Sequence, residues 1–163
     1  MSEILPKKEI LCRNQSETEQ VAAALAARSL PGDLFALTGD LGAGKSTFAR
    51  AFIRAAVGDP DAEVPSPTFT LVQTYDADFV IHHADLYRLG GPEDVYDLGL
   101  DDDRGDAVML VEWPDRMPAD WWQDALEIRL TREGAISEAG DEARRMAFEG
   151  NDSRWQVLLE RLL

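Results

Sequence analysis

Residues 34–57 read "LFALTGDLGAGKSTFARAFIRAAV", and their pattern sets the fold. "LFALT" (34–38) is a short apolar run of the kind a strand buried on both faces requires. "KSTFARAFIRAAV" (45–57) places Phe48, Phe52 and Ile53 at helical spacing. Between them, Gly39, Gly44, Lys45 and Ser46 satisfy G-x-x-x-x-G-K-[ST], with an extra glycine at Gly42. Glycines let successive backbone N–H groups curl around a phosphate, and the helix N-terminus adds partial positive charge. Strand, loop and helix in that order predict a phosphate-binding loop rather than a chance glycine-rich turn.

Composition supports the same assignment. The chain carries a formal charge of −15, and of its 16 basic residues only Lys7, Lys8 and Lys45 are lysines. A sequence that otherwise takes arginine for its cations has lysine where a planar guanidinium would crowd the loop. So acidic a surface repels nucleic-acid backbones, so no tight direct binding to nucleic acid is expected. The 163 residues suit one domain, taken as 1–163. A single cysteine, Cys12, excludes an internal disulfide, and its only basic neighbour is Arg13, so an inert thiol is expected. "MSEILPKKEILCRN" lacks the apolar core of a signal peptide, and no run approaches a membrane span. A cytoplasmic setting without a membrane partner is the expectation.

Outward from the loop, "SETEQVAAALAARS" (16–29) predicts a helix capped by Ser16 with Glu19 completing a capping box. "FTLVQTYDA" (69–77) and "FVIHHADLY" (79–87) predict two antiparallel strands joined by a tight turn. Pro92 opens a helix in a largely exposed acidic stretch, and "AVMLV" (107–111) is a second buried strand. "ALEIRLT" and "ARRMAFE" alternate as a hairpin with one wet face, and "NDSRWQVLLERLL" closes as an amphipathic helix capped by Asn or Ser. The fold class is therefore α/β: a three-layer P-loop NTPase-like core, its mixed sheet parallel at the centre and antiparallel at the edges.

A phosphate loop needs an acid for Mg²⁺ at the tip of a neighbouring buried strand. Glu112 ends "AVMLV" and Asp85 ends "FVIHHA", and the residues alone leave the two as equals. Period 2 puts Ile81, His83 and Asp85 on one face, with His82 opposite as a satisfied strand residue. "SPTFTL" (66–71) is a proline-stiffened hydroxyl loop, read equally as a γ-phosphate sensor or an ST-turn. Trp121, Trp122 and Trp155 are expected as packing residues, ahead of a place on a partner surface. GTPases are set aside because no lysine after Lys45 supplies an [NT]-K-x-D segment, and no "SGGQ" signature is present. A small-molecule kinase stays open, although "DDDRGD" offers one arginine where such kinases carry an arginine-rich lid.

"GDLGAGKST", "SPTFTLVQTY", "HHADLYRL", "DLGLDD" and "VEWPDR" resemble, in order and spacing, the bacterial TsaE (YjeE) ATPases, over roughly residues 14–150. The resemblance implies an ATPase, with ATP and Mg²⁺ as its ligands and low activity alone. It also implies work with the TsaB–TsaD complex in threonylcarbamoyl modification of adenosine 37 in tRNAs reading ANN codons, with tRNA met through those partners. By the same resemblance, Gly42, Ala43, Gly44, Lys45, Ser46 and Thr47 form the phosphate cradle. Ser46 (threonine in many members) and Glu112 hold Mg²⁺. Asp85 and Thr68 assist hydrolysis alongside Lys45. Gln15 or Thr18, Asp115 and Arg144 are the implied nucleotide contacts. A nucleotide-gated binding module with incidental hydrolysis is the reading from outside enzymology.

Overall fold

The computed structural model describes residues 6–40, 42–67, 70–133 and 143–162. A 7-stranded sheet forms the middle layer, in the order β1-β7-β6-β2-β5-β4-β3. The strands are β1 (Lys7–Cys12), β2 (Leu34–Thr38), β3 (Val72–Asp76), β4 (Val80–Asp85), β5 (Ala107–Glu112), β6 (Leu126–Arg132) and β7 (Arg144–Gly150). β6, β2, β5 and β4 run parallel to one another, β3 pairs antiparallel with β4, and β7 pairs antiparallel with both β6 and β1. The predicted parallel centre with antiparallel edges is what the chain forms.

Period 2 divides the strand residues between two cores. Phe35, Leu37, Val108, Leu110, Ile128 and Phe148 pack under α1 (Gln15–Ala27), α2 (Lys45–Val57) and α5 (Ser153–Glu160). Leu34, Ala36, Met109 and Val111 face the other way, against α3 (Pro92–Asp97), α4 (Ala119–Asp124) and the turns carrying Leu100 and Met117. Trp121 and Trp155 are both 2% exposed, which bears out their packing role, and the Trp155 ring lies 5.6 Å from that of Phe35.

Two caps differ from expectation. The cap of α1 lies two residues earlier: Asn14, not Ser16, is its N-cap, and its side chain accepts from the Glu17 N–H at 2.9 Å. Glu17 in turn accepts from the Arg13 N–H at 3.1 Å, so the reciprocal cap forms two residues upstream of the Ser16–Glu19 pair. α5 is capped by Asp152, between the Asn and Ser expected there. β1 and α4 were not anticipated at all. "KKEILC" alternates on an edge strand, with Lys7, Glu9 and Leu11 exposed and Ile10 and Cys12 turned inward. Cys12 is fully buried, and burial pushes its thiol pKa up, in keeping with an inert side chain. Among the described residues no helix is long and apolar enough to cross a membrane.

Candidate functional site

The parallel register brings three chain segments to one level. Leu37 on β2 pairs with Glu112 on β5, and Glu112 pairs with Asp85 on β4. β2 then runs directly into the glycine loop, so the loop opens beside two carboxylates at adjacent strand tips. Glu112 follows Val108 and Leu110 at period 2, and Asp85 follows Ile81 and His83. Both acids therefore lie on the sheet face that carries α2. Their burial is nearly complete, at 3% and 6% exposure.

The loop conformation depends on glycine at two points in particular. Gly39 has φ +143°, and a Cβ there would lie 2.4 Å from the Leu130 carbonyl oxygen, so the chain can leave β2 this close to β6 only without a side chain. Gly44 has φ +106° at the N-cap of α2, which has no side-chain cap and no acidic residue in its first turn. The first N–H groups of α2 are thus left for an anion.

From two strands away on the same face of the sheet, Arg144 at the start of β7 braces this loop. Its Nε donates to the Ala43 carbonyl at 2.7 Å and its Nη2 to the Gly42 carbonyl at 3.3 Å. Holding carbonyls outward favours N–H groups turned inward. Lys45 is buried, its Nζ donating to the Gly39 carbonyl at 2.5 Å and lying 4.2 Å from the centroid of the Trp113 ring. Trp113 has φ +55°, the left-handed region, directly after Glu112, and its ring also meets Tyr87 at 4.9 Å.

One cavity of about 580 Å³ is lined by Gln15, Gly42, Gly44, Lys45, Ser46, Thr47, Asp85, Glu112 and Arg144, together with Asp40, Ser66, Tyr87 and Trp113. Nine residues expected at the site thus meet around one space. Ala43 does not line this cavity: its methyl packs in the core, its N–H donates to the Asp40 carbonyl at 2.9 Å and its carbonyl accepts from Arg144. Asp115 lines a second cavity of about 290 Å³ with Thr38, Trp113 and Arg129, beyond the Lys45–Trp113 contact. The turn Pro114–Arg116, following the left-handed Trp113, carries it there. Thr68 lies outside the described residues. Asp40 was missed because it occupies an unspecified position of the loop pattern. His83 was placed on the right face, but its hydrogen bond, Nε2–H donating to Glu112 Oε2 at 2.6 Å, has no sequence signal.

The donor set suits Mg²⁺. No group of three or more His, Cys, Asp or Glu side chains able to cage a metal occurs among the described residues. The oxygen donors around the cavity include the Ser46 hydroxyl beside Lys45 and the carboxylates of Glu112 and Asp85 at the strand tips. Mg²⁺ typically takes one or two carboxylates and completes its shell with waters and the oxygens of a bound phosphate, so the residues fit.

A buried strand, a glycine loop with one lysine, and carboxylates at neighbouring strand tips define a P-loop NTPase-like α/β protein. The family model described as "Threonylcarbamoyl adenosine biosynthesis protein TsaE" matches residues 12–142. The chain belongs to the TsaE family. It is 37% identical over 151 residues to the tRNA threonylcarbamoyladenosine biosynthesis protein TsaE of Bacillus subtilis, covering 91% of this chain and 89% of that protein. It is 42% identical over 105 residues to the TsaE protein of Rickettsia felis, covering 64% of this chain and 61% of the relative's length. The match thus spans about three-fifths of that relative. The crystal structure of Bacillus subtilis YdiB superposes with a TM-score of 0.74 at 30% identity, covering 99% of this chain and 97% of that one.

Proposed function

We propose that this protein is a Mg²⁺-dependent ATP hydrolase that acts with TsaB and TsaD in threonylcarbamoyl modification of adenosine 37 in tRNAs reading ANN codons. The observation that carries the reading is the shared cavity: phosphate loop, Lys45 and two strand-tip carboxylates around one space. Membership of a family whose relatives are named for tRNA threonylcarbamoyladenosine biosynthesis supplies the pathway.

In this reading the loop N–H groups from Gly42 to Thr47 bind the phosphates, and Lys45 exchanges the Gly39 carbonyl and the Trp113 ring for β/γ-phosphate oxygens. Ser46 and Glu112 hold Mg²⁺, which when bound neutralises charge developing on the phosphates. Asp85 accepts from the Tyr87 backbone N–H at 3.0 Å, which fixes a carboxylate at the cavity wall to orient water, with Thr68 as its γ-phosphate counterpart. Gln15 and Arg144 border the nucleotide, and Asp115 reaches it from the second cavity. The −15 charge suits a cytoplasmic protein that meets tRNA through TsaB–TsaD.

Phosphate release measured against Mg²⁺ concentration tests the assignment. Lys45→Ala and Glu112→Ala are expected to reduce turnover by roughly a hundredfold or more while leaving the fold intact. Normal Mg²⁺-dependent turnover in Glu112→Ala would remove Glu112 from the metal site.

A further inference from the structure

We infer that His83 is a positioning residue for the Glu112 carboxylate, fixing one of its oxygens so that the other is presented to the metal. This rests on the reading of Glu112 as a Mg²⁺ ligand. The two residues sit on adjacent parallel strands, His83 paired with Leu110, two residues before the Asp85–Glu112 pair. The His83 Nε2–H donates to Glu112 Oε2 at 2.6 Å, and both side chains are almost wholly buried, at 2% and 4%.

Two further facts separate this from ordinary core packing. His83 is the one hydrogen-bond partner of the Glu112 side chain among the described residues. And among the described residues His83 Nδ1 is buried without a hydrogen-bond partner. An imidazole with one nitrogen unpaired is a costly way to fill space beside Ile81 and Leu110, where a leucine would pack without penalty. The nitrogen that is satisfied serves a single purpose, which is to hold Glu112. A carboxylate with one oxygen anchored loses rotation about its terminal torsion and meets a cation already oriented, which is how carboxylate and imidazole partners around metal ligands raise affinity. His82, the neighbouring histidine, marks the contrast. Both its nitrogens are paired, with Thr74 Oγ1 at 3.0 Å and Asp103 Oδ2 at 2.9 Å, on the opposite face.

Binding of Mn²⁺, a paramagnetic stand-in for Mg²⁺, to the full chain with a non-hydrolysable ATP analogue tests the inference by electron paramagnetic resonance. His83→Gln keeps an amide donor where Nε2 stands, whereas His83→Asn places its donor at the Nδ1 end. Both are polar and of similar burial cost, so their comparison does not depend on an apolar variant folding. His83→Asn is expected to weaken Mn²⁺ binding roughly tenfold or more, and His83→Gln to stay within about threefold of the parent chain. Affinity for the nucleotide without metal should be unchanged in both. Equal Mn²⁺ affinity in His83→Asn and the parent chain, or equal loss in Asn and Gln, overturns the positioning role. Glu112→Gln run in parallel separates the two claims: undiminished Mn²⁺ binding there overturns the metal reading of Glu112 itself, and with it this inference.

Discussion

Arg144 Nε donates to the Ala43 carbonyl at 2.7 Å across 101 residues of sequence, tying the first residue of β7 to the middle of the phosphate loop. With the Gly42 carbonyl held by the same guanidinium, the loop is fixed from behind before any ligand arrives. Arg144→Ala strips a donor from two carbonyls at a buried position, a loss of about 1–3 kcal/mol. Calorimetric titration with an ATP analogue should show affinity lower by roughly tenfold, and Arg144→Lys, which lacks the fork of donors, should recover little of it.

Lys45 resting 4.2 Å from the Trp113 ring centroid makes that indole a reporter of loop occupancy. When phosphate oxygens draw the ammonium away, the electrostatic surroundings of the ring change. Nucleotide addition should alter the intrinsic tryptophan fluorescence, and Trp113→Phe should abolish the change while Trp121, Trp122 and Trp155 still emit. An unchanged signal in the parent chain would mean that Lys45 stays where it is.

Gly39→Ala tests the packing of the loop base. The new methyl would sit 2.4 Å from a backbone carbonyl of β6, at φ +143°. Backbone there cannot swing aside as a long side chain would, so stability should fall by about 1–3 kcal/mol or more. A thermal melt should show Tm lower by several degrees, with nucleotide affinity reduced alongside.

What was legible in the sequence follows from where chemistry is local. The glycine spacing around Lys45 and the apolar runs at 34–38 and 107–111 encode strand, loop and strand directly, because burial on both faces tolerates nothing else. Period 2 in "FVIHHAD" correctly put His83 and Asp85 on one face and His82 on the other. The helix start was misplaced because Asn14, Ser16 and Asp152 belong to a set of near-equivalent caps, and which one closes the turn depends on the approaching chain. β1 was missed because its inward face is only Lys8, Ile10 and Cys12, too short an alternation to mark a strand beside two lysines and a glutamate. The position of Asp115 turned on the left-handed conformation of Trp113, which intrinsic propensity disfavours. The Arg144 and His83 contacts join residues on different strands, so only the assembled register reveals them.

Cys12 gives a prediction away from the site. Burial, the dominant cause, pushes its thiol pKa up, with the Glu17 charge adding to that and a hydrogen bond from Thr18 opposing it. A folded pKa above the unfolded one contributes stability that is present below the ordinary thiol range and is lost as pH rises through the folded value. The native chain should react with a disulfide reagent roughly tenfold or more slowly than the urea-unfolded chain. Between about pH 8 and 10 its Tm should fall further than that of Cys12→Ala.

The most direct test of the central claim is reconstitution. Purified TsaB, TsaD, a threonylcarbamoyl donor and tRNA are combined with or without this chain, and modified adenosines and released phosphate are counted together. The account predicts repeated rounds of modification only when the chain and ATP are present, with phosphate release stimulated by TsaB–TsaD and both signals lost in Lys45→Ala and Glu112→Ala. Modification sustained by Asp85→Asn that binds ATP without cleaving it, or a phosphorylated small molecule in place of free phosphate, would contradict it.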